Sequence, residues 1–391
     1  MEIELWWLSA LPIFFGLGWL AARIDLKHLL RESRALPGSY FRGLNFLLNE
    51  QPDKAIEAFL EAARVDAETI ELHFALGNLF RRRGEHDRAI RIHRNLVERE
   101  GLSCAERLHA LAELGEDYLK AGIFDRAEDI FLQLRGSERD GEARQALLEI
   151  YQAEKEWPKA IAILSAPSSA LDHHEQRLLA QFHCELAANA LLHGRYEEAR
   201  RDLEQALAAN RKCVRAAVLL GDLALAAGLP DEAIEAWTRI ERMDVDSLAL
   251  VAERLLTAFR QSGRGEQGRQ LLVGYLERHP ALDLLDAAFQ IEQEVRGIEA
   301  AYALVRDELR RNPTLLGLEK LLEAQCLLAT PDQRSDLELV RNLIHQHTRR
   351  VARFRCCQCG FRARQHHWRC PACGGWETYP PRRSEEFDLA P

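Results

Sequence analysis

Small, aromatic and alanine positions between residues 36 and 313 recur in register, so the chain repeats itself in units of roughly 34 residues. GLNFLLNEQPDKAIEAFLEAA from Gly43 is followed by GNLFRRRGEHDRAIRIHRNL from Gly77 and GEDYLKAGIFDRAEDIFLQL from Gly115. A small residue (Gly43, Gly77, Gly115, Ala187, Gly221) opens each register. An aromatic follows three positions later at Phe46, Phe80 and Tyr118, and Tyr151 follows Leu148 in the same way. Ala55, Ala89, Ala127, Ala160, Ala199 and Ala233 form a second column, with bulky residues four positions beyond (Phe59, His93, Phe131, Leu164, Leu203, Trp237). The pattern predicts helix pairs. Gly84, Gly122, Gly194, Gly228 and Gly263 fall where first helices need a left-handed cap, and Pro52, Pro158 and Pro230 where second helices begin. About eight units are expected, less regular at 141–174 and 249–313. Pro280 and Pro313 end two late units, and helices at 314–329 and 333–349 close the array.

These columns resemble the tetratricopeptide repeat, which implies an all-α superhelical solenoid with a concave face lined by the first helices. Such a face binds a peptide or protein. Asn78, Arg81 and Arg82 fall on first-helix positions that usually face the groove, where a solvated surface is the competing reading. The array offers no catalytic constellation: histidines are scattered, and there is no Ser-His-Asp order, P-loop or HExxH. His173 and His174 lie in a loop-like stretch and read as solvated surface. Cys104, Cys184, Cys213 and Cys326 read as isolated, small, buried or half-buried residues.

Leu5 to Ala22 carries no charge over 18 residues. As a helix it would be about 27 Å long, enough to enter a bilayer core of about 30 Å. Trp6, Trp7 and Trp19 stand near its ends, and Pro12 is tolerable there. Glu2 and Glu4 precede the run and Arg23, Lys27, Arg31 and Arg34 follow it, the reverse of a signal peptide. The expectation is an uncleaved inner-membrane anchor with a periplasmic N-terminus and the bulk of the chain in the reducing cytoplasm.

The sharpest chemistry lies near the C-terminus, in FRCCQCGFRARQHHWRCPACGGWETYPP. Cys356-x2-Cys359 and Cys370-x2-Cys373 are two turns that aim their sulfurs at one ion, each followed by glycine, Gly360 and Gly374. Together they form a tetrahedral four-sulfur site suited to one Zn(II), with iron as the alternative. Cys357 is a spare thiol, and His366 and His367 are substitute ligands to be tested. So small a module has little core, so the metal is expected to supply much of its stability.

Charge sharpens this division. The net charge is −9, yet residues 349–391 hold nine Arg against four acids, which leaves −14 on the remainder. An acidic chain argues against a dedicated nucleic-acid binder. The arginines either dock the ribbon on the acidic solenoid or contact RNA or DNA, docking being the preferred reading. Seven Lys against 45 Arg makes arginine richness alone weak evidence for phosphate binding. The expected division is anchor 1–22, linker 23–35, repeat array with closing helices 36–349, metal module 350–380 and tail 381–391.

The order anchor, repeats, ribbon, together with LGNLFRRRGEHDRAIRIH, FDRAEDIF, QFHCELA and RCCQCGF…WRCPACGGW, resembles the lipopolysaccharide assembly protein B family of Gram-negative inner membranes. The resemblance implies a non-enzymatic adaptor that brings the committed-step lipid A deacetylase to the membrane protease FtsH and so regulates lipopolysaccharide synthesis. It implies a counteracting inner-membrane regulator with a periplasmic domain, and links to lipopolysaccharide transport proteins. It assigns the four metal ligands to Cys356, Cys359, Cys370 and Cys373. Alternatives left open are a general membrane-tethered scaffold for envelope enzymes, a zinc ribbon that binds nucleic acid, a redox iron protein, and a homodimer.

Overall fold

A computed structural model describes residues 38–49, 51–65, 70–166, 171–351 and 354–383. The expected anchor and linker, and the tail beyond residue 383, lie outside them. Among the described residues, no helix is long and apolar enough to cross a membrane. The chain divides into two units, residues 1–154 and 155–391.

The first unit holds α1 (Gly38–Leu48), α2 (Pro52–Val65), α3 (Ile70–Arg82), α4 (His86–Glu98), α5 (Cys104–Lys120), α6 (Phe124–Gln133) and α7 (Asp140–Glu154). Each helix packs on the next, and first helices also touch across units, α3 on α5 and α5 on α7. The recurrent columns make this packing. Ala55, Ala89 and Ala127 are fully buried, as are Phe59 and His93, and Phe131 is nearly so. The small residue of each unit lies under the bulky residue 16 positions later. A Cβ on Gly43 would stand 2.6 Å from Phe59, one on Gly115 would stand 2.8 Å from Phe131, and one on Gly77 would fall on the His93 ring. The glycines therefore do more than bring helices close: they leave the volume that one side chain fills.

The second unit holds α8 (Trp157–Leu164), α9 (His173–Leu192), α10 (Tyr196–Ala209), α11 (Val214–Ala226), α12 (Pro230–Thr238), α13 (Ile240–Met243), α14 (Ala252–Gln261), α15 (Gly265–Arg278), α16 (Leu282–Arg296), α17 (Ile298–Arg311), α18 (Leu315–Leu328) and α19 (Pro331–Val351). Again neighbours pack in series, and α9 also meets α11, α14 meets α16 and α16 meets α18. The late irregularity has a concrete form: a 3-10 segment, Val245–Val251, intervenes between α13 and α14 and buries Leu248, Ala249 and Val251. The closing helices lie at Leu315–Leu328 and Pro331–Val351, close to expectation. The second runs into the span expected for the ribbon.

Helix ends follow local chemistry. Ser103 accepts from the Glu106 amide and Glu106 reaches back to the Ser103 amide, so a capping box starts α5. Asp172 and Glu175 do the same for α9. His173 and His174 thus sit in the first turn of a helix, not in a loop; both are exposed, as expected. The five capping glycines have φ of 67° to 78°. In the less regular unit Lys155 takes the equivalent place, two residues before α8, with φ 60°.

The ribbon is a small β element: β1 (Phe354–Arg355) pairs antiparallel with β2 (Arg362–Ala363). Arg383 bridges Phe354 on its other side. Residues 381–383 therefore belong to the ribbon rather than to a free tail.

Candidate metal centre and its seat on the repeats

Two knuckles with the same wiring build the centre. In the first, Gly360 donates to Cys356 O at 2.9 Å and Cys356 donates to Phe361 O at 2.9 Å. In the second, Gly374 donates to Cys370 O at 2.9 Å and Cys370 donates to Gly375 O at 2.8 Å. Gly360 and Gly374 hold φ of 76° and 72°, which the tight return requires. The sulfurs of Cys356, Cys359, Cys370 and Cys373 lie within 4.8 Å of one another. Cys356 and Cys373 are 3.8 Å apart, and Cys359 and Cys370 are 3.6 Å apart. Four ligands about 2.3 Å from a tetrahedral ion would be separated by about 3.8 Å, so this donor set fits a metal ion.

Electrostatics point the same way. Burial pushes the Cys356 thiol up, but the Thr378 hydroxyl and the amides of Cys359 and Gln358 outweigh it and bring the group down to about 6. Cys370 is also lowered: burial raises it, and the amides of Cys373 and Ala372 prevail. The Phe361 amide lowers Cys359, yet burial and the neighbouring sulfurs outweigh it and drive the group up to about 12. Four sulfurs this close cannot all ionise unless a cation shares the site. Cys357 is exposed and outside the cluster, its sulfur 3.1 Å from Thr378 O. His366 is outside it too: its Nε2 donates to Tyr379 O at 3.0 Å, and its ring lies edge-on to Phe354 and Trp368.

The ribbon is seated on the repeats of its own unit. Trp376 lies edge-on to Trp157 and Phe182, each with ring centres 6.0 Å away. The guanidinium of Arg215 lies 5.9 Å from the Trp376 ring and that of Arg369 5.5 Å. Gln181 donates to Glu377 at 2.7 Å, while its own oxygen accepts from Arg215 at 3.3 Å. At the other end, Arg382 pairs with Asp246 at 2.6 Å and Arg383 with Asp283 at 2.7 Å. The docking reading of the basic residues therefore holds for Arg382 and Arg383. Between ribbon and repeats a cleft of about 490 Å³ remains, lined in part by Glu253, Arg254, Asp286, Gln290 and Arg364.

Sequence reasoning missed the repeat side of this joint. Trp157, Gln181, Phe182, Arg215, Asp246 and Asp283 carry no motif; only the QFHCELA stretch touched it. The cysteines also differ from expectation. Cys104 is exposed. Cys184 and Cys213 are not isolated: they are fully buried with sulfurs 3.9 Å apart, because α9 packs on α11 there. Cys326 is buried as expected.

In the first unit Arg81 is held internally. It donates to Asn78 at 2.6 Å, to Glu113 at 2.6 Å and to Asp117 at 2.9 Å. The second oxygen of Asp117 takes His93 Nδ1 at 2.5 Å in full burial. Asn78 is half-buried and Arg82 exposed. Nearby, Glu113, Glu116, Glu142, Gln145 and Glu149 of α5 and α7 line a cleft of about 270 Å³, where burial pushes the Glu116 carboxyl up.

Comparisons with known proteins agree with this architecture. Residues 42–96 and 184–244 match the tetratricopeptide repeat family, and residues 354–381 match the rubredoxin metal binding domain. Lipopolysaccharide assembly protein B of Escherichia coli strain K12 is 35% identical over 378 residues, covering 95% of this chain and 97% of that one. The protein of the same name from Haemophilus influenzae is 30% identical over 391 residues, covering 97% and 98%. A solved structure, the C-terminal part of a TPR repeat-containing protein from Cytophaga hutchinsonii, is 13% identical and covers 67% of this chain and 98% of its own, with a TM-score of 0.39, too distant to add to the assignment. With relatives matched nearly end to end, and the repeats and four-cysteine ribbon both in place, the chain belongs to the lipopolysaccharide assembly protein B family.

Proposed function

We propose that this protein is a non-enzymatic adaptor of lipopolysaccharide assembly. It is tethered to the inner membrane by residues 1–22 with its bulk in the cytoplasm, and brings the committed-step lipid A deacetylase to an FtsH-type protease. The observation that carries the reading is the match to lipopolysaccharide assembly protein B over 95% of the chain. The architecture supports it: tetratricopeptide helices offer protein-binding surfaces, and a tether confines adaptor and protease to one surface, raising their effective concentration. Asn78, Arg81 and Arg82 are the proposed client contacts. Arg82 is exposed, and Arg81 donates to Asn78 beside it. The counteracting regulator and the transport proteins are proposed partners on the same grounds.

The metal is proposed to be Zn(II), held by Cys356, Cys359, Cys370 and Cys373. A closed four-sulfur site with no open position is the structural zinc arrangement, and here its ribbon is bolted to the repeats by Trp376 and Arg383. Elemental analysis of purified protein decides it. A red protein with iron in the site would instead support redox chemistry.

A second reading has one observation behind it. Arg355 and Arg362 are directly opposite on the ribbon hairpin, both are exposed, and neither makes an ion pair among the described residues. Like charges so placed repel and would welcome a phosphate. A salt-dependent shift with RNA, lost on Arg362→Ala, would favour that reading.

The adaptor reading is tested by the half-life of the deacetylase in the native host, with this protein present and depleted. Slower decay and rising lipopolysaccharide on depletion support it. An unchanged half-life removes the proteolysis mechanism and leaves a membrane scaffold, whose clients crosslinking would identify.

A further inference from the structure

Two thiols lie beside the seat of the ribbon, and the four-cysteine centre uses neither. Cys184, within α9, and Cys213, at the entry to α11, are fully buried with their sulfurs 3.9 Å apart. Cys213 stands just outside its helix in extended backbone, φ −71° and ψ 96°. A modest side-chain rotation there takes the pair toward a sulfur–sulfur bond of about 2.05 Å. Gln181, one turn before Cys184, joins the pair to the ribbon. Its amide nitrogen donates to Glu377 at 2.7 Å and stands 3.8 Å from the Cys213 sulfur. Its oxygen accepts from Arg215, whose guanidinium also reaches the Trp376 ring.

An inert core cysteine has apolar surroundings that raise its pKa. Cys213 differs. The Cys184 thiol favours its thiolate, burial opposes this, the Ala216 amide favours it again, the Glu377 carboxylate opposes and Arg215 favours, with lowering the result. Cys184 goes the other way, raised first by its contact with Cys213 and then by burial. One sulfur is poised as a nucleophile and its neighbour as a resolving thiol, the arrangement of oxidation-sensing dithiols. The seated ribbon holds this chemistry off. It lays Glu377 on Gln181, which is 1% exposed, and it brings a negative charge toward Cys213. Lifting the ribbon removes both the cover and the charge.

We propose that Cys184 and Cys213 are a redox couple: when the ribbon leaves its seat, hydrogen peroxide oxidises Cys213 and Cys184 closes a disulfide with it. The Cys213 thiolate attacks one peroxide oxygen, the O–O bond breaks, and the departing hydroxide takes up a proton as water, leaving Cys213–SOH. The Cys184 sulfur then attacks Cys213, the S–O bond breaks, and the second hydroxide leaves as water with the Cys184 proton. Two thiols and one peroxide become one disulfide and two waters, and the peroxide accepts the two electrons. The bond fastens α9 to α11, the first helices of neighbouring units. In a reducing compartment such a disulfide is transient, so it reports release of the ribbon. Neither step depends on the adaptor function.

The test treats the full chain in detergent micelles with hydrogen peroxide, alkylates the remaining thiols and maps linked peptides by mass. Trp376→Ala opens the seat. A Cys184–Cys213 peptide pair, two hydrogens lighter than the dithiol, is expected to form there at least about tenfold faster than in wild type, as for a site reached through local opening. Dithiothreitol is expected to reverse it. Glu377→Gln keeps Trp376 in place and removes the opposing charge, so linkage is expected to be several-fold faster there too; this variant decides the matter where Trp376→Ala unfolds more than the seat. In Cys184→Ser/Trp376→Ala the reaction stops at the sulfenic acid, which dimedone traps on Cys213. No Cys184–Cys213 linkage in either seat variant, while the exposed Cys104 oxidises, overturns the proposal and leaves the pair as inert core. Linkage at one rate with the seat closed or open overturns it as well. So does dimedone on Cys184 in Cys213→Ser/Trp376→Ala as fast as on Cys213 in its counterpart, because the two sulfurs would then have no separate roles.

Discussion

Trp237 lies over the bare Cα of Gly221 and donates its indole N–H to Val218 O at 3.0 Å. The two residues are 16 apart, one on α11 and one on α12, and the tryptophan is fully buried. A Cβ at 221 would collide with the indole nitrogen of Trp237 and the two carbons beside it. Gly221→Ala is therefore expected to destabilise the second unit by about 1–3 kcal/mol, the usual cost of overpacking, despite the better helix propensity of alanine. Thermal melting reads it directly. A melting temperature equal to or above the wild type would show that the indole moves aside without cost.

Lys155 occupies the left-handed position that glycine fills in five sister turns. A side chain there costs about 1–2 kcal/mol, part of which glycine gives back as unfolded-chain entropy. Lys155→Gly is expected to raise stability by about 0.5–1 kcal/mol, seen as a higher denaturant midpoint at unchanged slope. A lower midpoint would mean that the lysine side chain makes a compensating contact.

The ribbon has two separable supports, its seat on the repeats and a four-cysteine site able to hold a metal ion. Trp376→Ala removes the aromatic anchor between Trp157 and Phe182. It should loosen the seat by about 2 kcal/mol and expose residues 352–383 to protease while the metal content stays constant. Cys370→Ser, or a strong chelator, should melt the ribbon itself and lower the melting temperature of the second unit, since metal binding is folding free energy in so small a module. Equal protease patterns for Trp376→Ala and wild type would show that Arg382 and Arg383 hold the ribbon unaided.

His366 adds a pH dependence of known sign. Burial pulls its pKa below 6.5, against the pull of the Tyr379 carbonyl, and the charges of His367 and Arg215 lower it further. The unfolded chain therefore takes up the proton first as pH falls. Stability is full above the ordinary histidine pKa and is lost as pH drops below it toward the folded value. Unfolding free energies measured from pH 8 to pH 5 should fall more steeply for wild type than for His366→Phe. Parallel curves would remove His366 from the acid response.

Much of this protein is determined by local pattern. The alanine and bulky columns, the capping glycines with φ near 70°, and the prolines that open α2 and α12 each act within one unit, so their spacing alone declared the repeat. The CxxC turns are just as local: four residues and a glycine orient two sulfurs, so the metal centre was legible before any packing was known. The closing helices were legible for the same reason, to within a few residues.

Only the tertiary structure decided what those units touch. Gln181 and Glu377 are 196 positions apart, and no periodicity joins them. Cys184 meets Cys213 because α9 packs on α11, not because either is special in sequence. Arg81, placed by its column on a surface that could meet a client, is also bound to Glu113 and Asp117, because the next first helix brings two carboxylates within hydrogen-bonding distance. Docking was expected of Arg382 and Arg383, but their partners, Asp246 and Asp283, were named only by the fold. Short-range sterics and chain geometry are written in spacing, whereas the pairing of distant charges and rings depends on how successive helix pairs stack.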